Sequence, residues 1–182
     1  MPRITPVSGK EDVPAEHHNI VDDVIKVFGG VRGPFSIMLK SPKLAERVLP
    51  LVTFFREGSV VEPRLRSHAI LAAVREREAA YVWAAQVNAA RRTGVPETTI
   101  DLLRAKGDPA GLHEDERDII VYTRQLLRTN RVGPTVLERL KNRHGEQWLV
   151  ELTAAANYFG FLSGMVNAFE VPVPPDGDRL PA

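Results

Sequence analysis

The sequence contains no cysteine among its 182 residues. Disulfides, thiolate metal sites and any peroxidase or redox mechanism that uses a cysteine of this chain are therefore excluded. No other feature of the composition constrains the chemistry as strongly. The chain is long enough to bury one core of ordinary size, so its fold can rest on hydrophobic packing instead of cross-links.

The chain also lacks an excess of charge of either sign, with 24 Lys and Arg residues against 23 Asp and Glu residues and a net charge of +1. A balanced chain has no strong field to recruit a polyanion, and we therefore expect no nucleic-acid partner. The densest basic segment lacks interleaved aromatic residues that could stack on bases, and we interpret it as a solvated face. Its members are Arg124, Arg128, Arg131, Arg139, Lys141 and Arg143.

Long apolar runs are absent as well, and none reaches the ~18 residues of a membrane-spanning helix. Residues 1–14 carry scattered prolines and charges, without a basic stretch followed by an apolar one. This pattern is not that of a secretion signal. We therefore expect a cytoplasmic protein without a membrane partner.

The rest of the composition is that of a soluble globular chain, with 43% hydrophobic and 26% charged residues. We predict an N-terminal arm over residues 1–14, a single helical domain over residues 15–170 and a proline-rich tail over residues 171–182. The tail cannot continue a helix, because its prolines lack the backbone N–H and clash with the preceding turn.

Apolar residues recur at helical spacing along the chain, and no segment shows the period of two that is typical of strands. We therefore predict an all-α fold of about seven to eight helices. Residues 63–94 are predicted to form two helices, or one bent helix, with the charged residues 75–78 at the junction. In the last predicted helix Gly160, Gly164 and Ala168 lie four residues apart, which predicts the close approach of a second helix.

Four segments resemble, in order, parts of the carboxymuconolactone decarboxylase and alkylhydroperoxidase D-like superfamily: GPFSIMLKSPKLAERVLPL, PRLRSHAILAAVREREAAYVWAAQVNAARRTGVPETTIDLL, LHEDERDIIVYTRQLL and LVELTAAANYFGFLSGMVNAF. Together they cover most of residues 33–170 in the family's order. The resemblance implies an all-helical, alkylhydroperoxidase D-like domain that forms a homo-oligomer. A trimer or hexamer is implied, with a dimer as the alternative, and with a site between helices near the subunit interface.

The chain departs from the family where the resemblance places reactive groups. The peroxidase branch carries a Cys-x-x-Cys pair, and the matching residues here are Ala79 and Val82. The decarboxylase-like branch has a glutamate after an arginine and a histidine on the following helix, and the matching residues here are Ser67 and Gln86. Thiol peroxidase activity is therefore disfavoured, and the family's usual groups for moving a proton have been replaced.

Four residues of the central stretch are candidates for the site. Gln86 cannot act as a base, but its amide can orient a substrate; the alternative is a hydrogen-bonded core amide. Tyr81 could donate to an oxyanion and Trp83 could wall a ring, although their spacing is also that of core residues. His68 lies about 100° further round the helix than Ser67. It is either a displaced general base or a surface or interface histidine.

Polar residues also occur on the otherwise apolar last helix. Asn157 and Tyr158 need hydrogen-bond partners if they are buried, and the partner could be a ligand or another helix. At the other end of the chain, the adjacent residues His17 and His18 lie near two aspartates. Adjacent residues of a helix point about 100° apart, so we expect no metal site there.

Two hypotheses about function follow. The first is a cofactor-free lyase, decarboxylase or isomerase that acts on a small carboxylated or cyclic organic substrate. In it His68, Tyr81 and Gln86 are the catalytic residues; Trp83, Asn157 and Tyr158 bind substrate. The second is a catalytically silent ligand-binding or structural oligomer that has lost the family's proton relay. Neither hypothesis involves a metal or a redox cofactor.

Overall fold

The computed structural model describes residues 2–181. In that range it contains nine α-helices and no β-strand, which confirms the all-α prediction. The ninth helix, beyond those expected, is α2, whose five residues are too few to show a helical period. The helices are α1 His18–Phe28, α2 Pro34–Met38, α3 Pro42–Thr53, α4 Pro63–Glu76, α5 Ala80–Arg92, α6 Glu97–Arg104, α7 Glu114–Thr129, α8 Pro134–His144 and α9 Glu146–Ala168.

Contacts between Cα atoms group the chain into two compact units. The first consists of the chain up to residue 58 together with residues 164–172, and it contains α1, α2 and α3. The second consists of residues 59–163 together with the chain from residue 173 onward, and it contains α4 to α8 and most of α9. The division into an arm, one domain over residues 15–170 and a tail stays a prediction.

In the first unit, α1 and α2 both pack against α3. Helix α1 ends at Gly29, which adopts the left-handed conformation (φ 72°) and donates its backbone N–H to Ile25 O at 2.7 Å. The first residues of the chain are fastened to this unit, since the backbone N–H of Val7 donates to Ser36 O at 2.8 Å. A cleft of about 750 Å³ lies between α1, α3 and the π-helical turn Phe54–Gly58.

The second unit is organised around α4, which packs against α5, α6 and α7. All residues from 66 to 75 are buried. Small side chains at Ala69, Ala72 and Ala73 allow neighbouring helices to approach α4 closely on several sides. One apolar cluster joins α4 to α7, α8 and α9 through Ala69, Ile119, Leu140, Trp148 and Leu152.

The turn at residues 77–79 separates α4 from α5, which confirms two helices with the charged residues at their junction. Glu78 has a positive φ of 51°, and its carboxylate pairs with Arg75 and Lys106. Glu76 is oriented differently and accepts hydrogen bonds of 2.6 and 2.7 Å from Arg128 on α7. The junction is therefore held by ion pairs within the second unit.

Helix α9 is long and apolar enough to cross a membrane by length and composition, with a mean hydropathy of 1.2. However, 56% of its most apolar window is buried inside the protein, as in the core helix of a soluble domain. A Cβ added to Gly160 would lie 3.1 Å from Leu127 Cδ1, whereas one added to Gly164 would meet nothing within 4 Å. The predicted close approach of a second helix therefore occurs at Gly160 and not at Gly164.

The interpretation of the basic segment as a solvated face is wrong for Arg124, which is buried. Arg139 is exposed, and together with the partly exposed Arg143 it binds the fully enclosed carboxylate of Asp118. Burial alone would raise the pKa of Asp118, but hydrogen bonds from these two arginines and from Arg117 hold it well below its ordinary value. Arg139 and Arg143 therefore join α8 to α7 through Asp118.

We expect Asp118→Asn to lower the free energy of unfolding by roughly 3–5 kcal/mol, because it leaves a cluster of arginines without its buried carboxylate. Urea denaturation at neutral pH measures the change. Glu114→Gln, also on α7, removes an exposed partner of Arg143 and is expected to change stability by less than about 1 kcal/mol. Equal effects of the two substitutions would contradict a structural role for Asp118.

Candidate active site on α4 and α5

The six side chains predicted from the sequence all belong to the second unit. His68 lies on α4, and Tyr81, Trp83 and Gln86 lie on α5. Asn157 and Tyr158 lie on α9. Their burial and partners differ so much that they do not form a single cluster.

The positions that correspond to the family's reactive groups hold unreactive side chains. Ser67 is buried, and its hydroxyl donates to Pro63 O at 2.9 Å and is 2.9 Å from Thr93 Oγ1. Ala79 and Val82 are buried hydrocarbon. Gln86 is half-buried and supplies an amide, which does not titrate. None of these four side chains titrates near neutral pH, so they offer no proton carrier.

Helix geometry separates Gln86 from Tyr81 on α5. Five residues correspond to about 140° round the helix, so these two side chains leave it in different directions. Gln86 follows Val82 by four residues and Trp83 by three, and side chains with these spacings share a face. The helix therefore brings Gln86 together with Val82 and Trp83 and directs Tyr81 away from them.

Trp83 is fully enclosed, with 0% of its surface exposed. Its indole Nε1 has no hydrogen-bond partner among the described residues. The guanidinium of Arg104 lies over the ring, 5.8 Å from the centroid. A buried indole N–H normally finds an acceptor, so Trp83 retains an unused hydrogen-bond donor.

His68 is not the surface or interface histidine that was the alternative to a displaced base. It is also 0% exposed. The step of about 100° from Ser67 directs it toward α7, where its Nε2 lies 3.8 Å from Glu116 Oε1. Glu116 is itself buried and pairs with Arg64.

The tautomer of His68 follows from the contact that its other ring nitrogen, Nδ1, makes. Nδ1 lies 2.8 Å from Arg64 O, and a carbonyl can only accept, so Nδ1 carries the proton. Burial lowers the pKa of His68, and the charge of Arg64 adds to this, against a rise from the hydrogen bond to Arg64 O. The ring is therefore neutral at neutral pH, with a lone pair on Nε2 that no described residue occupies.

Glu116 was missed as part of this site because it stands in the acidic first turn of α7, where acids complement the helix dipole. The available signal was the spacing of Arg64 and His68, four residues apart on one face of α4. These two side chains and Glu116 form a buried base next to an ion pair. The arrangement is chemically competent for proton transfer, although the ring is enclosed.

The two α9 residues differ in their burial and in their contacts. Asn157 is exposed, and its amide donates to Thr153 O of the same helix at 3.0 Å. Tyr158 is buried and makes an edge-on contact with Phe159 at 5.6 Å between ring centroids. Their roles as substrate-binding residues stay predictions.

Near His68, the carboxylate of Glu116 is a further side chain that could bind a metal ion. Across residues 2–181, no three His, Cys, Asp or Glu side chains are grouped so that they could hold a metal ion. In the adjacent-histidine segment, His18 Nε2 lies 3.0 Å from Val13 O, so a backbone carbonyl occupies one ring nitrogen.

Two solved structures share this arrangement of helices. One is a protein of unknown function from Agrobacterium tumefaciens, described as a candidate antioxidant defence protein AhpD; it has a TM-score of 0.70 and 17% identity, over 80% of this chain and 100% of that one. The other is a cysteine-to-alanine variant of the debrominase Bmp8 in complex with 2,3,4-tribromopyrrole; it has a TM-score of 0.76 and 16% identity, over 96% of this chain and 95% of that one. The fold is AhpD-like.

The resemblance inferred from the sequence is thus confirmed at the level of the AhpD-like fold. Sequence identities of 16% and 17% establish a common fold but not a common chemistry. No protein-family model and no curated protein matches the chain. This AhpD-like chain has no cysteine, so chemistry through a cysteine of its own is excluded.

The lowered pKa of His68 predicts how stability depends on pH. The folded state resists protonation of the ring, so this contribution is complete above the unfolded pKa of about 6.5 and is lost as pH falls from there to the folded pKa. We expect His68→Asn, whose amide can still donate to Arg64 O, to lose stability less steeply on acidification than the wild type does.

Urea denaturation between pH 7.5 and pH 5 measures this difference. His113→Asn changes an exposed histidine and is the matched control, which should follow the wild-type slope. Identical slopes for all three proteins would contradict a buried neutral His68.

Proposed function

We propose that this chain binds a small cyclic organic molecule at the face of α5 that carries Gln86 and Trp83, without thiol chemistry. One observation carries the proposal. A debrominase with the same fold holds 2,3,4-tribromopyrrole in a variant in which a cysteine has been replaced by alanine. Here the residues that match the family's cysteines are Ala79 and Val82. A cysteine-free AhpD-like chain is therefore suited to holding a ring compound that it does not attack.

The residue types on this face fit such a ligand. Ala79 and Val82 are apolar, and Gln86 supplies an amide NH2 group that donates and a carbonyl oxygen that accepts. Trp83 adds an aromatic ring and an indole N–H without a partner among the described residues. Small-molecule sites are typically mostly apolar with a few placed polar groups, which is the composition of this face.

A second function is proton transfer in a cofactor-free lyase or isomerase reaction on a carboxylated or cyclic substrate. It is favoured by the lone pair on His68 Nε2, which no described residue occupies. His68 would accept the proton, and Glu116, 3.8 Å away, would stabilise the imidazolium that forms. Because the ring is enclosed, the packing between α4 and α7 must open for this reaction to occur.

We also propose that the protein assembles into a homo-oligomer. Large apolar side chains are exposed in the first unit at Ile25 (40%), Leu44 (41%), Leu51 (44%) and Phe54 (39%). Leu44 and Leu51 lie seven residues apart and therefore share a face of α3. Burying such residues favours association.

We expect the wild-type protein to bind 2,3,4-tribromopyrrole saturably in the absence of any thiol, with a shift of the Trp83 indole signal in ¹H–¹⁵N spectra. Gln86→Leu should weaken binding by about tenfold, the effect of losing one hydrogen bond. Ala85→Ser, on the exposed side of α5, is the control and should bind as the wild type does. Absence of saturable binding would contradict the first function.

The second function predicts turnover of a carboxylated lactone that is abolished in His68→Asn. His113→Asn should retain full activity, because it leaves the buried base intact. The activity of the wild type should fall as pH drops below the range in which His68 is neutral. Retained turnover after both His68→Ala and Gln86→Ala would rule out these residue assignments, and binding without turnover would leave the first function standing.

A further inference from the structure

Two arginines of the second unit converge on one carboxylate near the end of the chain. Arg91 donates to both oxygens of Asp178, at 2.6 Å to Oδ2 and 3.2 Å to Oδ1. Arg104 donates to Oδ1 at 3.2 Å. Both carboxylate oxygens are thereby satisfied, in the fork geometry with which arginine recognises carboxylates.

The two arginines are held in place independently of Asp178. Arg91 also donates to Glu97, through Nε at 2.5 Å and through a terminal nitrogen at 3.1 Å. Arg104 also pairs with Asp101 on its own helix. Its backbone carbonyl accepts a 2.7 Å hydrogen bond from the buried Arg75. The donors that face Asp178 would therefore remain oriented if that carboxylate were removed.

The segment that carries Asp178 lies close against α5. A Cβ added to Gly177 would come within 2.8 Å of Ala84 Cβ, so the backbone there touches the helix. Ala84 and Arg91 are seven residues apart and share a face of α5. That face lies about 160° from Gln86, because Ala84 and Gln86 are two residues apart. Arg91 is thus on a different side of α5 from Gln86, whereas Arg104 of α6 contacts Trp83.

We propose that Arg91 and Arg104 form a binding site for small organic carboxylates, and that the chain's own Asp178 occupies this site as an internal ligand. Arg104 links the site to Trp83, whose ring lies 5.8 Å beneath the guanidinium. A planar aromatic carboxylate would place its charge where Asp178 lies and its ring beside the guanidinium of Arg104.

The internal ligand is exchangeable because its contacts lie at the surface. Arg91 and Asp178 are 38% and 22% exposed, and ion pairs of this kind contribute little to stability. Without Asp178 the charges of the two arginines are balanced by Glu97 and Asp101, so recognition depends on directed hydrogen bonds and not on net charge. A tethered carboxylate acts at an effective concentration in the millimolar range or above, against which a free carboxylate must compete.

The test is a titration with benzoate at constant ionic strength, followed in ¹H–¹⁵N spectra through the arginine Nε–H and tryptophan Nε1–H signals. Benzamide, which has the same shape without the charge, is the ligand control. Asp178→Ala empties the site, and Asp176→Ala changes an exposed carboxylate of the same segment as the protein control.

We expect Asp178→Ala to bind benzoate at least tenfold more tightly than the wild type and Asp176→Ala, with shifts at Arg91, Arg104 and Trp83. Adding Arg104→Gln should abolish the response, and benzamide should give none. In the wild type, high benzoate concentrations should also move the backbone signals of residues 176–179 as the segment is displaced. Equal responses of the two aspartate variants, or a response that survives Arg104→Gln, would overturn the proposal.

Discussion

The enclosure of α4 by its neighbouring helices is the constraint on which the second unit depends. A helix buried along ten consecutive residues must satisfy its polar side chains without water. Backbone carbonyls accept from each of them: Val61 O from Arg66, Pro63 O from Ser67, Arg64 O from His68 and Arg104 O from Arg75. These contacts fix the start of α4 and the end of α6, and thereby the frame that carries α5.

The same enclosure determines what chemistry the chain retains. The positions where the family resemblance places reactive groups hold Ser67, Ala79, Val82 and Gln86, which lack a group that titrates near neutral pH. The one buried base of the region, His68, faces α7 and not this group. The proposed ring-binding face and the buried base are therefore separate, which is why ligand binding without thiol chemistry is the function that we place first.

The helices and their order could be predicted from the sequence because apolar periodicity, glycines and prolines report local structure directly. The junction at the charged residues 75–78, within residues 63–94, is an example. Partners across helices could not be predicted in the same way. The sequence shows that His68 follows Ser67, but not that Glu116 faces His68 across the packed helices. An acidic residue in the first turn of a helix gives the same sequence pattern whether it is exposed or buried. Likewise Asp178 lies in a segment without periodicity, where nothing indicates the two arginines that bind it.

The most direct test of the central claim is a crystal structure of the protein soaked with 2,3,4-tribromopyrrole. The anomalous scattering of bromine locates the ring without reference to any assumed pose. Ligand binding without thiol chemistry predicts an intact tribrominated ring in contact with Gln86 and next to Ala79 and Val82. Bromine density at another place, or none in crystals soaked to saturation, would contradict it.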